Sequence, residues 1–181
     1  MDKAIYLDRD GTLNDDPNYY IYKIEDFKLL SGVIDGLKLL SKDFIFFIIT
    51  NQSGIGLGKY TEEDMHKFNG KLKDELKKEG IEIKETYYCP HEKDAGCNCR
   101  KPNTKFIKEA EKEFDIDTKK SWVIGDHPHD IDMGQRAGCK NIYVLTGHGK
   151  KHFNDLEKNS IKTDFIAEDF LKGAQFIMKN K

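Results

Sequence analysis

Short apolar segments alternate with longer amphipathic segments along this chain, and this alternation constrains the fold more than any other feature. Segment 44–49 is continuously apolar, which is typical of a strand buried on both faces of a sheet. The strand candidates are 3–7, 44–49, 83–88, 122–124 and 141–145. The helix candidates are 33–42, 61–79, 103–114, 131–137 and 165–178. Strands separated by helices predict an α/β fold with a Rossmann-like, doubly wound and mainly parallel sheet.

The length and composition are those of a single domain. The chain has 181 residues, of which 38% are hydrophobic and 34% are charged, and its net charge is −2. Because the sequence has no basic excess, we expect no nucleic-acid partner. No apolar run reaches the roughly 18 residues that a membrane span needs, and we expect no signal peptide before the first strand. We therefore expect one domain over residues 1–181, a cytoplasmic location, no membrane contact and a monomer.

Chemically active side chains follow four of the predicted strands. Asp8, Thr50, Cys89 and Asp126 each come at or just after the end of a strand candidate. In parallel α/β sheets, ligands bind beyond the carboxyl ends of the strands. We therefore expect these residues to meet at one edge of the sheet, and their convergence predicts a functional site more strongly than any one motif does.

Two carboxylates, Asp8 and Asp10, stand two residues apart at the end of the first predicted strand. Such a pair alone more often belongs to a solvated turn, but here Gly11 and Thr12 follow and the preceding strand is apolar. A carboxylate can attack phosphorus and form an acyl phosphate. A second carboxylate can protonate the leaving alcohol and then deprotonate water. The concentrated negative charge requires a hard cation with oxygen ligands, and Asp126 is the third candidate ligand.

Further polar residues suit a phosphoryl group. Segment 50–54 offers the hydroxyl of Thr50, an amide and backbone N–H groups to phosphoryl oxygens, although alone it could equally be an ordinary polar turn. Lys101 would add a positive charge between a cysteine cluster and a proline. Asp130 is a candidate partner of a metal ligand rather than a ligand itself.

Three cysteines and a histidine crowd into the eleven residues of segment 89–99. Cys89, His91, Cys97 and Cys99 have the donor set of a structural Cys₃His zinc site. In a reducing compartment this spacing favours metal over disulfides. Four protein ligands leave no coordination position for substrate, so we interpret the zinc as structural. Cys139 lies far away in the sequence and is expected to be a small buried residue.

Four motifs stand in a fixed order along the chain: segment 8–12, Thr50, Lys101, and Gly125-Asp126 with Asp130. In this combination the chain resembles the phosphatases of the haloacid dehalogenase superfamily. The zinc cluster and segment 50–54 make it similar to the branch that contains D-glycero-D-manno-heptose 1,7-bisphosphate phosphatase and histidinol-phosphate phosphatase. The resemblance covers roughly residues 4–147. It implies that the chain has no large cap domain and that a zinc-ordered loop partly takes the place of the cap.

The resemblance also implies a role for each matching residue. Asp8 resembles the nucleophile, and Asp10 resembles the acid/base with its main-chain carbonyl on Mg²⁺. Together with Asp126 they would be the protein ligands of Mg²⁺. Thr50 and Lys101 would stabilise the phosphoryl group. The residues that would contact the substrate are Asp16, Pro17, Asn18, Tyr19, Asn51, Gln52, Ser53, Arg100 and His127.

We expect a small phosphorylated metabolite as the substrate. The sequence around residues 20–27 and 51–59 resembles the enzymes that remove the 7-phosphate of heptose 1,7-bisphosphate, and Arg100 and Lys59 would anchor the other phosphate of such a bisphosphate. The five-residue spacing between His91 and Cys97 resembles instead the histidinol-phosphate enzymes, and His127 stands where heptose enzymes can carry lysine. Histidinol phosphate or another small sugar or polyol phosphate is therefore the alternative.

Two other classes of protein share parts of the pattern. A polynucleotide 3′-phosphatase shares the first motif, but the chain lacks a basic groove for nucleic acid and carries the zinc cluster. A receiver domain is also a parallel α/β sheet with a phosphorylated aspartate, but it needs neither Asp10-Gly11-Thr12 nor the cysteines. The sequence therefore favours a small-molecule phosphatase over both.

Overall fold

The fold is built on one six-stranded sheet in which all neighbouring strands are parallel. The structure, a computed structural model, describes residues 1–181. The strands are β1 (Ala4–Leu7), β2 (Ile45–Asn51), β3 (Ile83–Cys89), β4 (Trp122–Gly125), β5 (Lys140–Val144) and β6 (Phe165–Ala167). Their order in the sheet is β3-β2-β1-β4-β5-β6. The predicted α/β class is confirmed, and the sheet is parallel throughout.

Seven α-helices connect and cover the strands. They are α1 (Val33–Leu40), α2 (Ser53–Gly56), α3 (Glu62–Lys78), α4 (Lys105–Phe114), α5 (Pro128–Ala137), α6 (Gly149–Lys158) and α7 (Phe170–Lys179). The predicted start of α3 is confirmed, because the Thr61 hydroxyl accepts the N–H of Asp64 at 3.1 Å and the Asp64 carboxylate accepts the N–H of Thr61 at 2.9 Å. No helix has the length and apolar character that crossing a membrane would require.

The central strands are apolar on both faces because each sends alternate side chains into two cores. In β1, Ile5 and Leu7 pack in the core that contains apolar residues of α1, α3 and α7. Ala4 and Tyr6 pack on the opposite face, with α4 and with Met133 of α5. Helices therefore cover both faces of the sheet, and its carboxyl edge is left for polar residues.

The chain after β5 differs from the prediction. One helix over 165–178 is wrong, since residues 165–167 form the edge strand β6, which pairs with β5, and α7 begins only at Phe170. Asp169 separates the two elements because its carboxylate caps α7, accepting the N–H of Lys172 at 2.8 Å. Helix α6 is not predicted at all. Its segment contains three lysines and one histidine, and Leu156 is its one buried apolar side chain.

Three boundaries shift toward the carboxyl edge. Strand β2 continues to Asn51 and β3 to Cys89, two residues and one residue further than predicted. Helix α5 begins at Pro128 instead of residue 131, because proline suits the first position of a helix. These extensions bring candidate functional residues onto regular elements.

We predict opposite effects of alanine at two helical glycines. A Cβ on Gly36 of α1 would lie 2.6 Å from Phe170 Cδ1 and 3.2 Å from Ala174 Cβ, whereas a Cβ on Gly70 of α3 would meet nothing within 4 Å. Gly36→Ala should therefore lower the free energy of unfolding by about 1–3 kcal/mol through overpacking. Gly70→Ala should raise it by about 0.5–1 kcal/mol through helix propensity.

Urea denaturation followed by circular dichroism measures both changes. Equal changes in the two variants would contradict this account of the contact between α1 and α7.

Candidate active site

The carboxyl ends of β1 and β4 form the floor of an open cleft. In the sheet order the chain winds one way from β1 to β3 and the other way from β4 to β6, which opens a crevice between β1 and β4. Asp8 follows β1, and its N–H donates to the carbonyl of Ile124 in β4 at 2.9 Å. Asp126 follows β4, and Thr50 lies near the end of β2. All three of these polar residues line the same cleft, as their positions after strands predict.

Three carboxylates and one ammonium group are buried together in the floor. Lys101 Nζ lies 2.6 Å from Asp8 Oδ1 and 2.6 Å from Asp130 Oδ1, and it donates to the carbonyl of Ile49 at 2.8 Å. Asp8, Asp126 and Asp130 each have a carboxylate oxygen within 4.8 Å of the others. When all four groups are ionised, the floor therefore has an excess of two negative charges.

The environment of this cluster shifts the pKa values of its members. Burial raises the pKa of Asp8 to about 7, although Lys101 opposes the shift. Burial, and then the charge of Asp8, raise the pKa of Asp126 well above its ordinary value. For Lys101, burial lowers the pKa, but Asp130 and Asp8 outweigh it and raise the pKa. A divalent cation beside the carboxylates would favour their ionised forms.

Two glycines let the backbone approach Asp126 closely. Gly11 and Gly147 have φ values of 81° and 50°, in a backbone region that residues other than glycine rarely adopt. A Cβ at either position would collide with the Asp126 carboxylate. The Thr146 hydroxyl joins the two loops by donating to the carbonyl of Gly11 at 2.7 Å. Carboxylate and carbonyl oxygens are thereby crowded together, and this oxygen-only donor set fits a hard cation such as Mg²⁺.

Asp10 is held by a buried arginine that the sequence analysis does not single out. Arg9 is fully buried and donates to both carboxylate oxygens of Asp10, at 2.8 Å and 2.7 Å. Gln52 Nε2 donates to Asp10 Oδ2 at 2.9 Å and to Thr50 Oγ1 at 2.7 Å. Gln52 Oε1 accepts from the Tyr60 hydroxyl at 2.7 Å. An arginine is almost never fully buried unless it is paired, and the sequence does not show that Arg9 is buried. Only the folded structure therefore reveals that Arg9 supports Asp10.

Most of the predicted site residues line one cleft of about 250 Å³. They are Asp8, Asp10, Asp16, Tyr19, Thr50, Asn51, Ser53, Arg100, Lys101, Asp126 and His127. Pro17 and Asn18 line a neighbouring cleft, and Gln52 lies buried beneath the floor. The lining also contains Asp130, which the sequence indicates as a partner of a metal ligand, and four residues outside the predicted set: Tyr20, Tyr60, His129 and His148.

Two of these additional residues depend on helix starts. His129 lies in the first turn of α5, and His148 immediately precedes α6. The predicted start of α5 at residue 131 is three residues too late, and α6 is not predicted. A proline after the Gly125-Asp126 motif is the signal that could have extended α5 to include His129.

The loop that carries Lys101 is attached at two points. Asn51 Oδ1 accepts the N–H of Lys101 at 3.0 Å. Arg100 Nη1 donates to the carbonyl of His91 at 3.3 Å. The end of β2 and the loop after β3 therefore fix the backbone from which Lys101 reaches the floor.

His127 caps α5 at the edge of the cleft. Its Nδ1 accepts the N–H of His129 at 3.2 Å, and its own N–H donates to Asp130 Oδ2 at 3.0 Å. Burial lowers the pKa of His127 to about 4, so its ring is neutral at pH 7. His127 therefore brings hydrogen-bonding capacity to the cleft without charge.

The cysteine and histidine side chains of segment 89–99 meet at the end of β3. Cys99 Sγ lies 3.2 Å from Cys89 Sγ and 3.2 Å from His91 Nδ1, and Cys89 Sγ lies 3.6 Å from Cys97 Sγ. These separations exclude disulfides, whose S–S distance is about 2.05 Å. Burial raises the pKa of Cys89 to about 12, so a thiolate there needs a cation beside it. The four side chains could hold a metal ion, and a Cys₃His donor set fits zinc.

Comparison with known proteins connects this geometry to a family. A HAD-hydrolase-like family model matches residues 98–173. The D-glycero-alpha-D-manno-heptose-1,7-bisphosphate 7-phosphatase of Campylobacter jejuni is 41% identical over 82% of this chain and 85% of its own length. The corresponding beta-heptose enzyme of Haemophilus influenzae is 38% identical over 81% of this chain and 84% of its own. The chain belongs to the HAD-like hydrolases, in the heptose-1,7-bisphosphate 7-phosphatase branch.

A solved structure supports the assignment of this chain to the HAD-like hydrolases. The D,D-heptose 1,7-bisphosphate phosphatase of B. bronchiseptica, complexed with magnesium and phosphate, superposes with a TM-score of 0.88 at 27% identity and covers 99% of both chains. The predicted superfamily and branch are confirmed. The family match includes Lys101, Asp126 and Asp130, three members of the buried charge cluster.

We predict that the HAD-like hydrolase binds zinc at the four-residue cluster. Protein purified without chelator should contain about one zinc per chain, as the ligand count implies. Cys97→Ser should lose the zinc and lower the melting temperature, because metal binding and folding of the loop are coupled. Cys139→Ala removes a buried cysteine outside the cluster and should retain zinc. Metal analysis by mass spectrometry measures both, and equal zinc in the two variants would contradict the site.

Proposed function

We propose that this protein is a magnesium-dependent phosphatase that hydrolyses the 7-phosphate of D-glycero-D-manno-heptose 1,7-bisphosphate. The observation that carries the proposal is the buried cluster of three carboxylates around Lys101 at the carboxyl edge of the sheet. The relatives from C. jejuni and H. influenzae are 7-phosphatases for this class of substrate. The related enzyme from B. bronchiseptica was solved with magnesium and phosphate.

Asp8 is the nucleophile of the first half-reaction in this proposal. Lys101 contacts Oδ1 of Asp8, which leaves Oδ2 to attack phosphorus. A bond forms between that oxygen and phosphorus, and the bond between phosphorus and the sugar oxygen breaks. Asp10 gives its proton to the departing sugar oxygen. The products are the free sugar hydroxyl and an aspartyl phosphate on Asp8.

Water completes the reaction in the second half. Asp10 accepts a proton from water while the water oxygen attacks phosphorus, and the bond between phosphorus and Asp8 breaks. Inorganic phosphate leaves and Asp8 is regenerated. The support of Asp10 by Arg9 and Gln52 favours this role, because a general base must be held at hydrogen-bonding distance from its proton donor.

Charge compensation is the second requirement of the site. Asp8, Asp126 and the main-chain carbonyl of Asp10 would hold Mg²⁺, whose charge would offset the negative charge of the floor and of the phosphoryl group. Lys101 contributes a fixed positive charge beside the nucleophile, and the Thr50 hydroxyl can donate to a phosphoryl oxygen.

The distal part of the cleft bears on the choice of substrate. Arg100 is a half-buried guanidinium in the lining and can bind the second phosphate of a bisphosphate. Lys59 lies with its Nζ 4.0 Å from the centroid of the Tyr20 ring, so it adds positive charge on that side. Asp16, Tyr19 and Tyr20 also line the cleft and could hold the amine and imidazole of histidinol phosphate, which is the second candidate.

A panel of substrates tests the proposed function. We expect kcat/KM to be highest for one anomer of heptose 1,7-bisphosphate, with histidinol phosphate at least tenfold lower, at equal pH and magnesium concentration. Ratios of kcat/KM measure specificity, whereas activity on a single compound does not. Asp8→Asn should abolish turnover of every compound and serves as the background control. A preference of tenfold or more for histidinol phosphate would overturn the substrate, and full turnover by Asp8→Asn would overturn the covalent mechanism.

We predict separate kinetic effects for the two basic residues of the loop at 100–101. Lys101→Met should reduce kcat by about 10²–10³-fold, because Lys101 stabilises charge that develops in the transition state. Arg100→Ala should mainly raise KM, because Arg100 holds a part of the substrate that does not react. Steady-state kinetics on the bisphosphate distinguishes the two effects, with melting temperatures to verify folding. The opposite pattern would contradict the assignment.

A further inference from the structure

Two buried polar atoms, in residues that line the cleft, have no hydrogen-bond partner in the protein. They are Nε2 of His148, which precedes α6, and Oδ1 of Asp16, in the loop after β1. Both residues line the cleft, and only 6% of Asp16 is exposed. His148 Nε2 lies 3.7 Å from Asp16 Oδ2, which is too long for a direct hydrogen bond.

Backbone and ring contacts hold His148 in place. The backbone N–H of His148 donates to Asp126 Oδ2 at 2.7 Å. The His148 ring stacks on Tyr19 with the centroids 3.9 Å apart and the planes within 3° of parallel. Lys151 Nζ donates to the Tyr19 hydroxyl at 2.8 Å. The position of His148 Nε2 is therefore fixed.

The backbone beside this pair is strained. Tyr19 and Tyr20 have φ values of 59° and 58°, and two consecutive non-glycine residues in the left-handed region are costly. The surrounding contacts of Tyr19 maintain this conformation. Strain of this kind that is maintained by contacts is typical of ligand-binding segments.

The pair has the chemistry to bind a hydroxyl group. A buried polar atom without a partner is unfavourable, and a hydroxyl can donate one hydrogen bond while it accepts another. Asp16 can accept, and the neutral imidazole of His148 can donate from Nε2. A phosphate would instead be repelled by the Asp16 carboxylate, which separates this position from the one beside Arg100.

We propose that His148 joins Asp16, a substrate contact that the family resemblance implies, in binding one hydroxyl of the sugar, and that His148 thereby helps to select a polyhydroxylated substrate. This inference rests on the proposed function, because it specifies how the same cleft recognises the sugar between its two phosphates. It also assigns a role in recognition to the loop before α6, which contains none of the predicted motifs.

The test compares two substitutions of His148 on two substrates. His148→Phe keeps an aromatic ring to stack on Tyr19 but removes the Nε2 donor, whereas His148→Gln keeps an amide donor at a similar reach. We expect His148→Phe to lower kcat/KM for heptose bisphosphate, mainly through KM, at least tenfold more than it lowers kcat/KM for para-nitrophenyl phosphate, which has no hydroxyl. His148→Gln should restore a large part of that loss. His66→Phe, at an exposed position of α3, is the control and should leave both values unchanged.

The outcomes separate this inference from the proposed function. If wild-type protein does not hydrolyse heptose bisphosphate, the proposed function fails. If wild-type protein does so and His148→Phe reduces both substrates equally, or neither, the hydroxyl site is refuted and the pair is structural. Asp16→Asn provides a second reading should His148→Phe not fold, since it should shift the same ratio by at least tenfold in the same direction, and an unchanged ratio would refute the site.

Discussion

The concentration of buried negative charge at the end of β1 is the constraint on which the rest of the site depends. The carboxylates of Asp8, Asp126 and Asp130 lie within 4.8 Å of one another, and the ammonium group of Lys101 contacts two of them. Buried charges are stable only when they are paired or bind a cation. The site therefore needs Lys101, from a distant part of the chain, beside the carboxylates. It also needs space for a hard cation at the carboxyl edge of the sheet.

Two structural features hold Lys101 in this position. The Cys₃His cluster at the end of β3 shapes the loop that precedes Lys101. Asn51, at the end of β2, accepts the backbone N–H of Lys101. Beneath the cleft, the buried side chains of Arg9 and Gln52 hold Asp10 and Thr50 through hydrogen bonds. Catalytic groups held in this way need little reorganisation when charge develops during the reaction. The Cys₃His cluster and this hydrogen-bond network thus hold the site residues in place, without a second folded domain above the cleft.

Several features could be predicted because they follow from local chemistry. The parallel sheet follows from apolar strands separated by helices, and the start of α3 follows from Thr61 and the acids after it. Other features could not be predicted. Phe165 and Ile166 are equally compatible with a helix and a strand, and only the pairing of 165–167 with β5 selects the strand. Gln52 resembles a substrate contact in sequence, yet its amide is used to support Asp10 and Thr50.

The sequence by itself determined the class of fold, the grouping of Cys89, His91, Cys97 and Cys99, and the likeness to a family of phosphatases, because residue chemistry and spacing along a strand or turn are local properties. Only the tertiary structure decided that Arg9 is buried against Asp10, that Asp130 shares Lys101 with Asp8, and that His148 meets Asp16 and Tyr19. These contacts join parts of the chain that are far apart or depend on which side chains are buried. Their formation depends on packing and desolvation of the whole domain, which no local pattern encodes.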